Sequence, residues 1–148
     1  MARKRYEQPL TLHGFLWSLP NTLLGLLLAL LSLARPQLIE ACPERSRGRM
    51  LLCTGDRGLA HLLLARRSFS ALTLGRVVTA VGPLSHETWV HEVEHARQAE
   101  LWGIFLLPAY LAYHLLYGYK RNPFEVAAVR VAESFRADHP DLADQTLP

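Results

Sequence analysis

Leucine falls into two dense blocks along this chain, at 10–34 and 101–116, with polar stretches between and after them. The first block follows a basic start at Arg3, Lys4 and Arg5 and is apolar apart from Thr11, His13, Ser18, Pro20, Asn21, Thr22 and Ser32. Its densest part, 23–33, extends only about 16 Å as a helix, and a bilayer crossing takes about twenty residues. Widening it to 14–34 reaches that length but places Pro20-Asn21 in the first half. No small-x-small cleavage site follows Leu33, where the chain reads Ala-Arg-Pro-Gln. The pattern therefore predicts a retained membrane anchor, spanning or re-entrant. A buried helix of a soluble core and a cleaved leader are the other readings of the same block. Positive charges stand on both sides of it, so charge bias does not orient it.

Residues 36–49 carry Pro36, Pro43 and a run of arginines, and read as a linker. The pattern then changes to short apolar runs at 50–53, 59–65 and 71–81. They are separated by Thr54-Gly55-Asp56-Arg57-Gly58 and Arg66-Arg67-Ser68. Turn residues between runs of this length predict a small β-meander. In the third run the alternation Leu72, Leu74 slips phase at Gly75 before Val77, Thr79 and Val81, which predicts a bulge. Gly82-Pro83 ends that run. Ser85 is placed to cap a helix reaching about Trp102. A second apolar helix follows at 103–117, interrupted by Pro108 and ended by Gly118. Asn122-Pro123 opens a third, running to about Ala137. The expected organisation is a basic N-terminus and hydrophobic anchoring helix at 1–35, a linker at 36–49, a core at 50–137 and an acidic tail at 138–148.

The 148 residues suffice for one domain. Half are hydrophobic and the net charge is only +3, so the uneven spread of leucine, not the total, carries the membrane signal. The basic clusters lack interleaved aromatic residues and make no nucleic-acid platform. Beside a hydrophobic helix they fit lipid headgroups. Membrane lipid and a peptide or protein substrate are thus the expected partners, and nucleic acid is not. Cys42 and Cys53 form no CxxC pair, and both a bridge and two free thiols stay open.

The chemistry concentrates at 91–95, His-Glu-Val-Glu-His. Histidines four apart lie on one face of a helix, one turn apart, and two imidazoles so placed can hold one zinc ion. Glu92 can then take a proton from water as it attacks a carbonyl. The HExxH pattern encodes this arrangement. Position 101, where a third histidine would fall in a metzincin, is Leu101. The preferred third ligand is Glu125, with Glu100, Glu133 and His114 in reserve. Ala128 and Ala132 share the Glu125 face and would let two helices approach closely. Glu125 has a competing reading, because Asn122, Pro123 and Glu125 also spell a capping box. Tyr117 and Tyr119 are the leading donors for an oxyanion, with Tyr110 and Tyr113 nearby. Tyr and Trp102 as interfacial anchors is the alternative for these aromatics. Glu94, Gln98 and Glu133 are available to orient the imidazoles, while His13, His61 and His86 read as structural or surface residues.

His91-Glu92-x-x-His95 with a later helical glutamate resembles the gluzincin branch of zinc peptidases. Gln98 and the Asn-Pro-Phe-Glu-x-x-Ala stretch resemble small bacterial membrane-associated proteins with a reduced zincin core. The resemblance covers about 70–135. It implies an α+β, minimal zincin-like core, in which a small meander packs on the HExxH helix and a Glu-bearing helix. It also implies zinc on His91, His95 and Glu125, Glu92 as general base, and a bacterial inner-membrane location. The strand at about 71–81 would offer its edge to an extended peptide. The expected function is a membrane-associated zinc metallopeptidase. The alternative is a non-catalytic membrane protein whose structural or vestigial metal site serves an interaction or assembly role. Imidazole and carboxylate ligands also suit iron, cobalt and nickel.

Overall fold

The phase slip at Gly75 is a hairpin turn, not a bulge. In a computed structural model, which describes residues 4–41, 48–55, 58–59, 62 and 70–147, the expected strand at 71–81 is two strands, Ala71–Leu74 and Val77–Ala80. They pair antiparallel from Ala71↔Ala80 to Leu74↔Val77. Gly75 has φ +60°, and a Cβ there would lie 2.2 Å from Thr22 Oγ1. Positive φ at the first central position is what a type II′ turn needs, and only glycine supplies it here without a clash.

Two further strands complete the sheet. These are β1 (Arg35–Glu40) and β2 (Arg49–Thr54), so the hairpin strands are β3 and β4. The order is β1-β2-β4-β3, with β2 and β4 parallel and the other pairs antiparallel. A mixed sheet thus replaces the expected meander. β4 is fully buried in the middle and β3 forms an edge. β1 is built from residues read as linker. The expected run at 59–65 falls mostly outside the described residues, as do Cys42 and His61.

The pleat separates two faces. Met50, Leu52, Val78 and Ala80 turn to one side and pack with Trp89, Val93 and Ala96. Cys53 and Val77 turn to the other and pack with Ala29. Helices cover both faces, giving an α+β domain in three layers.

The N-terminal hydrophobic block is two helices, α1 (Leu12–Trp17) and α2 (Leu19–Leu31), meeting at Ser18. Pro20 sits in the first turn of α2, where no intrahelical N–H is needed. Gly25 lets α2 lie against the hairpin, since a Cβ there would be 2.8 Å from Leu74 O. The outer side of α2 leaves Leu23, Leu24, Leu27, Leu30 and Leu31 exposed.

The motif helix is α3 (His86–Trp102), capped as expected by Ser85, whose side chain accepts from Thr88 N. It stops at Gly103, φ +55°, with the Trp17 ring where a Cβ would stand. After a single 3-10 turn comes α4 (Leu106–Tyr117), then α5 (Pro123–Asp138) and the short α6 (Pro140–Ala143). The helical stretch His86–Tyr117, 32 residues, is long and apolar enough by length and composition to cross a membrane. Its most apolar window is only 11% buried, so this is surface and not core.

Both chain ends fold back on α3. Tyr6 packs with Val90, Val131 and Phe135, and its hydroxyl donates to Asp138 at 2.6 Å. Glu94 is fully buried and receives Arg5 Nε at 2.9 Å, with Arg97 Nη1 at 3.5 Å. A buried carboxylate stripped of its partner costs several kcal/mol, so this pair clamps the N-terminal segment to the back of the motif helix. The acidic tail is likewise docked. Arg136 pairs with Glu87 and Asp144, and Leu147 packs against the core cluster.

Candidate metal centre

Three donors converge between α3 and α5. His91 Nε2 and His95 Nε2 are 3.1 Å apart, and each lies 3.4 Å from a different oxygen of Glu125. Helical spacing accounts for the two imidazoles. The carboxylate is brought by packing, since Ala128 and Ala132 on the same face of α5 are buried and small. Zinc bonds of about 2.0–2.1 Å in a tetrahedron put neighbouring donors about 3.3 Å apart. The observed separations match that edge. Glu125 Oε2 is buried with no hydrogen-bond partner, which is the state of a carboxylate oxygen arranged for a cation. His91, His95 and Glu125 therefore fit a divalent metal in His₂Glu coordination.

The competing role of Glu125 as a helix cap is ruled out by where the cap bonds go. Asn122 Oδ1 accepts from Phe124 N at 3.1 Å, and Asn122 N donates to Tyr119 O at 3.1 Å. No backbone group at the helix start calls on Glu125, so its carboxylate is free to face the histidines.

The charge state without metal is set by the same groups. Burial opposes a charge on His95. The Glu125 carboxylate outweighs it, with help from the charge of Glu92 and a bond to Gln98, and the pKa rises to about 9. Burial alone would raise Glu125, but the His91 and His95 imidazoles facing it, the charge on His95 and the Tyr110 hydroxyl hold it well below the usual carboxylate range.

Gln98 is the orienting partner among the three candidates. Its Oε1 lies 2.9 Å from His95 Nδ1, and its Nε2 donates to Phe124 O at 2.9 Å. One amide thus fixes the ring and ties it to the start of α5, the segment that delivers Glu125. Gln98→Ala is expected to weaken metal binding by these three donors about 10–100-fold, measured by competition with a chromogenic chelator. An unchanged affinity would remove Gln98 from this role. Glu94 is taken up by Arg5 and Arg97, and Glu133 is exposed on α5.

Glu92 is buried and accepts from Thr73 Oγ1 on β3 at 2.6 Å. Of the four tyrosines, two reach the cleft. Tyr110 donates to Glu125 Oε1 at 2.7 Å, and Tyr119 lines the cleft wall. Burial raises both phenols, and the Glu125 charge raises them further, so both stay protonated donors. Tyr117 is not brought to the site: it is 54% exposed and stacks on Tyr113, because its position on α4 points it outward. None of the reserve ligands, Glu100, Glu133 and His114, belongs to this group of donors. Glu100 binds Arg76 and Thr11 N, and His114 stacks on Tyr110. Cys53 is buried behind the sheet, with its thiol pushed up by burial, and has no place at the centre. The chain matches no protein-family model, no curated protein and no solved structure.

Proposed function

We propose that this chain is a zinc-dependent peptidase working at a membrane surface on a reduced zincin-like core. The observation that carries the reading is the convergence of His91, His95 and Glu125 from two helices, with a buried carboxylate oxygen unpartnered at the focus. Zinc bound there supplies Lewis acidity, polarising a carbonyl and acidifying water. The remaining work falls to the chain's own groups. Glu92, steadied by Thr73, takes the proton of the attacking water and returns it to the departing amine. Tyr119 and Tyr110, kept protonated, are the donors for the oxyanion. Among the described residues β3 is an edge strand of the sheet, and an extended peptide can add to such an edge.

The membrane part rests on exposed apolar surface. Besides α2, α4 exposes Leu111, Leu115, Leu116 and Tyr117, and Trp17 and Trp102 are also exposed. Cations follow each helix, Arg35 after α2 and Lys120 and Arg121 after α4. At about 20 Å and about 18 Å, neither helix matches the roughly 30 Å hydrocarbon core. Both suit partial insertion, with cations among anionic headgroups.

The test is hydrolysis of a mixed peptide library by zinc-supplemented protein on anionic vesicles. Cleavage should stop on chelation and return with zinc, and the protein should sediment with the vesicles. One zinc per chain without any cleavage would move the chain to the alternative of a structural metal site.

A further inference from the structure

Two unlike cavities meet at the metal centre. One, about 220 Å³, lies between β3, α3 and α4, with walls formed by Leu72, Leu74, Leu107 and Leu111. The other, about 310 Å³, is polar and runs past Ser70, Glu87, Thr88 and Glu133. They share Ala71, His91, Glu92 and Tyr119. A chain crossing the centre must therefore put its successive parts into different surroundings.

We infer that the cleft selects a peptide segment at the point where an apolar run gives way to a polar one, seating a bulky apolar side chain in the leucine-walled cavity beside the attacked bond. The inference rests on the peptidase reading and adds its substrate class. Among the described residues, and outside the centre's own His91, His95, Glu92 and Glu125, no ionisable side chain but the phenols of Tyr110 and Tyr119 lines this cavity. The amide nitrogen of Asn21, the other polar side chain beside Thr73 and Gln98, donates to Gly103 O at 2.7 Å. A charged substrate side chain would lose its hydration there and meet only polar groups that the centre itself uses. An isobutyl or benzyl group would lose water and gain leucine contacts. Leu72 and Leu111 both line the cavity and are themselves exposed. The mouth is thus continuous with the apolar surface of α4, and a run embedded in an apolar phase reaches the cavity without crossing water. The polar continuation then leaves along the Glu87–Glu133 groove.

The experiment titrates zinc-supplemented protein, its zinc content measured alongside, with three hydroxamates: acetohydroxamate, one bearing an isobutyl group, and one of similar length ending in a carboxylate. The isobutyl compound should bind about 30-fold tighter than acetohydroxamate, the value of one buried aliphatic group, and the carboxylate compound no tighter. Leu72→Asp and Leu111→Asp change exposed positions, so folding persists, and each should reduce the isobutyl-to-methyl ratio to a few-fold. If acetohydroxamate binds but the ratio is near one, or the carboxylate is preferred, the substrate class is overturned while the metal centre stands. If zinc-loaded protein binds no hydroxamate, the peptidase reading fails, and the inference with it.

Discussion

On the proposed zinc-peptidase reading, Glu92→Gln should retain the metal and lose turnover by about 10²–10⁴-fold. The substitution preserves volume at a buried position, and the amide oxygen can still accept from Thr73 Oγ1, which now donates to Glu92 at 2.6 Å. Nothing in the fold or in the ligand set of His91, His95 and Glu125 is disturbed. What disappears is a carboxylate able to hold a proton between water and leaving group. Metal content and peptide hydrolysis measured on the same preparation separate the two effects. A variant that loses zinc would make Glu92 a ligand or a support of the ligands. A variant that hydrolyses as fast as the wild type would remove Glu92 from the chemistry altogether.

On the same reading, zinc should stabilise the folded chain strongly, and more so as pH rises from about 6.5 to about 9. At a free concentration of a thousand times Kd, a metal binding only the folded state adds about 4 kcal/mol, many degrees in Tm for a chain of this size. The pH dependence follows from His95, whose folded pKa is about 9 against about 6.5 unfolded. A raised pKa contributes stability that is fully present below the unfolded value and lost as pH climbs through the folded one. Metal-free protein therefore sheds that contribution between about pH 6.5 and 9. Glu125 has the opposite sign: its lowered pKa contributes above the ordinary carboxylate range and is lost only in acid. Zinc must displace the proton on His95, so its gain is smallest at low pH and grows through the same window. Calorimetric melts of wild type, His95→Ala and Glu125→Ala, with and without zinc, give the answer. The zinc-induced shift should vanish in His95→Ala and shrink sharply in Glu125→Ala. A pH-independent shift in wild type would mean that the metal binds elsewhere.

The motif helix was legible because every signal for it is local. Ser85 caps it and the i, i+4 spacing puts both imidazoles on one face. The sheet was misread for an equally physical reason. Alternation reports that residues are extended, not which strand they pair with. A phase slip at one glycine is the same in sequence whether it marks a bulge within a strand or a turn between two. The charged stretch at 35–40 carried no apolar alternation, yet forms β1, because an exposed edge strand has little to bury.

The sequence by itself determined α3, α4 and α5, the uneven apolar surface and the pairing of His91 with His95, since these depend on neighbours within a turn or two along the chain. Only the tertiary structure decided the rest. Glu125 is released from the helix cap because Asn122 N finds Tyr119 O instead. Tyr110 reaches the centre while Tyr117, two turns on, does not. Thr73 arrives at Glu92 from a strand whose existence depends on the turn at Gly75. Each of these is a competition between partners distant in sequence, settled by how the sheet and helices pack, and local spacing holds no record of it.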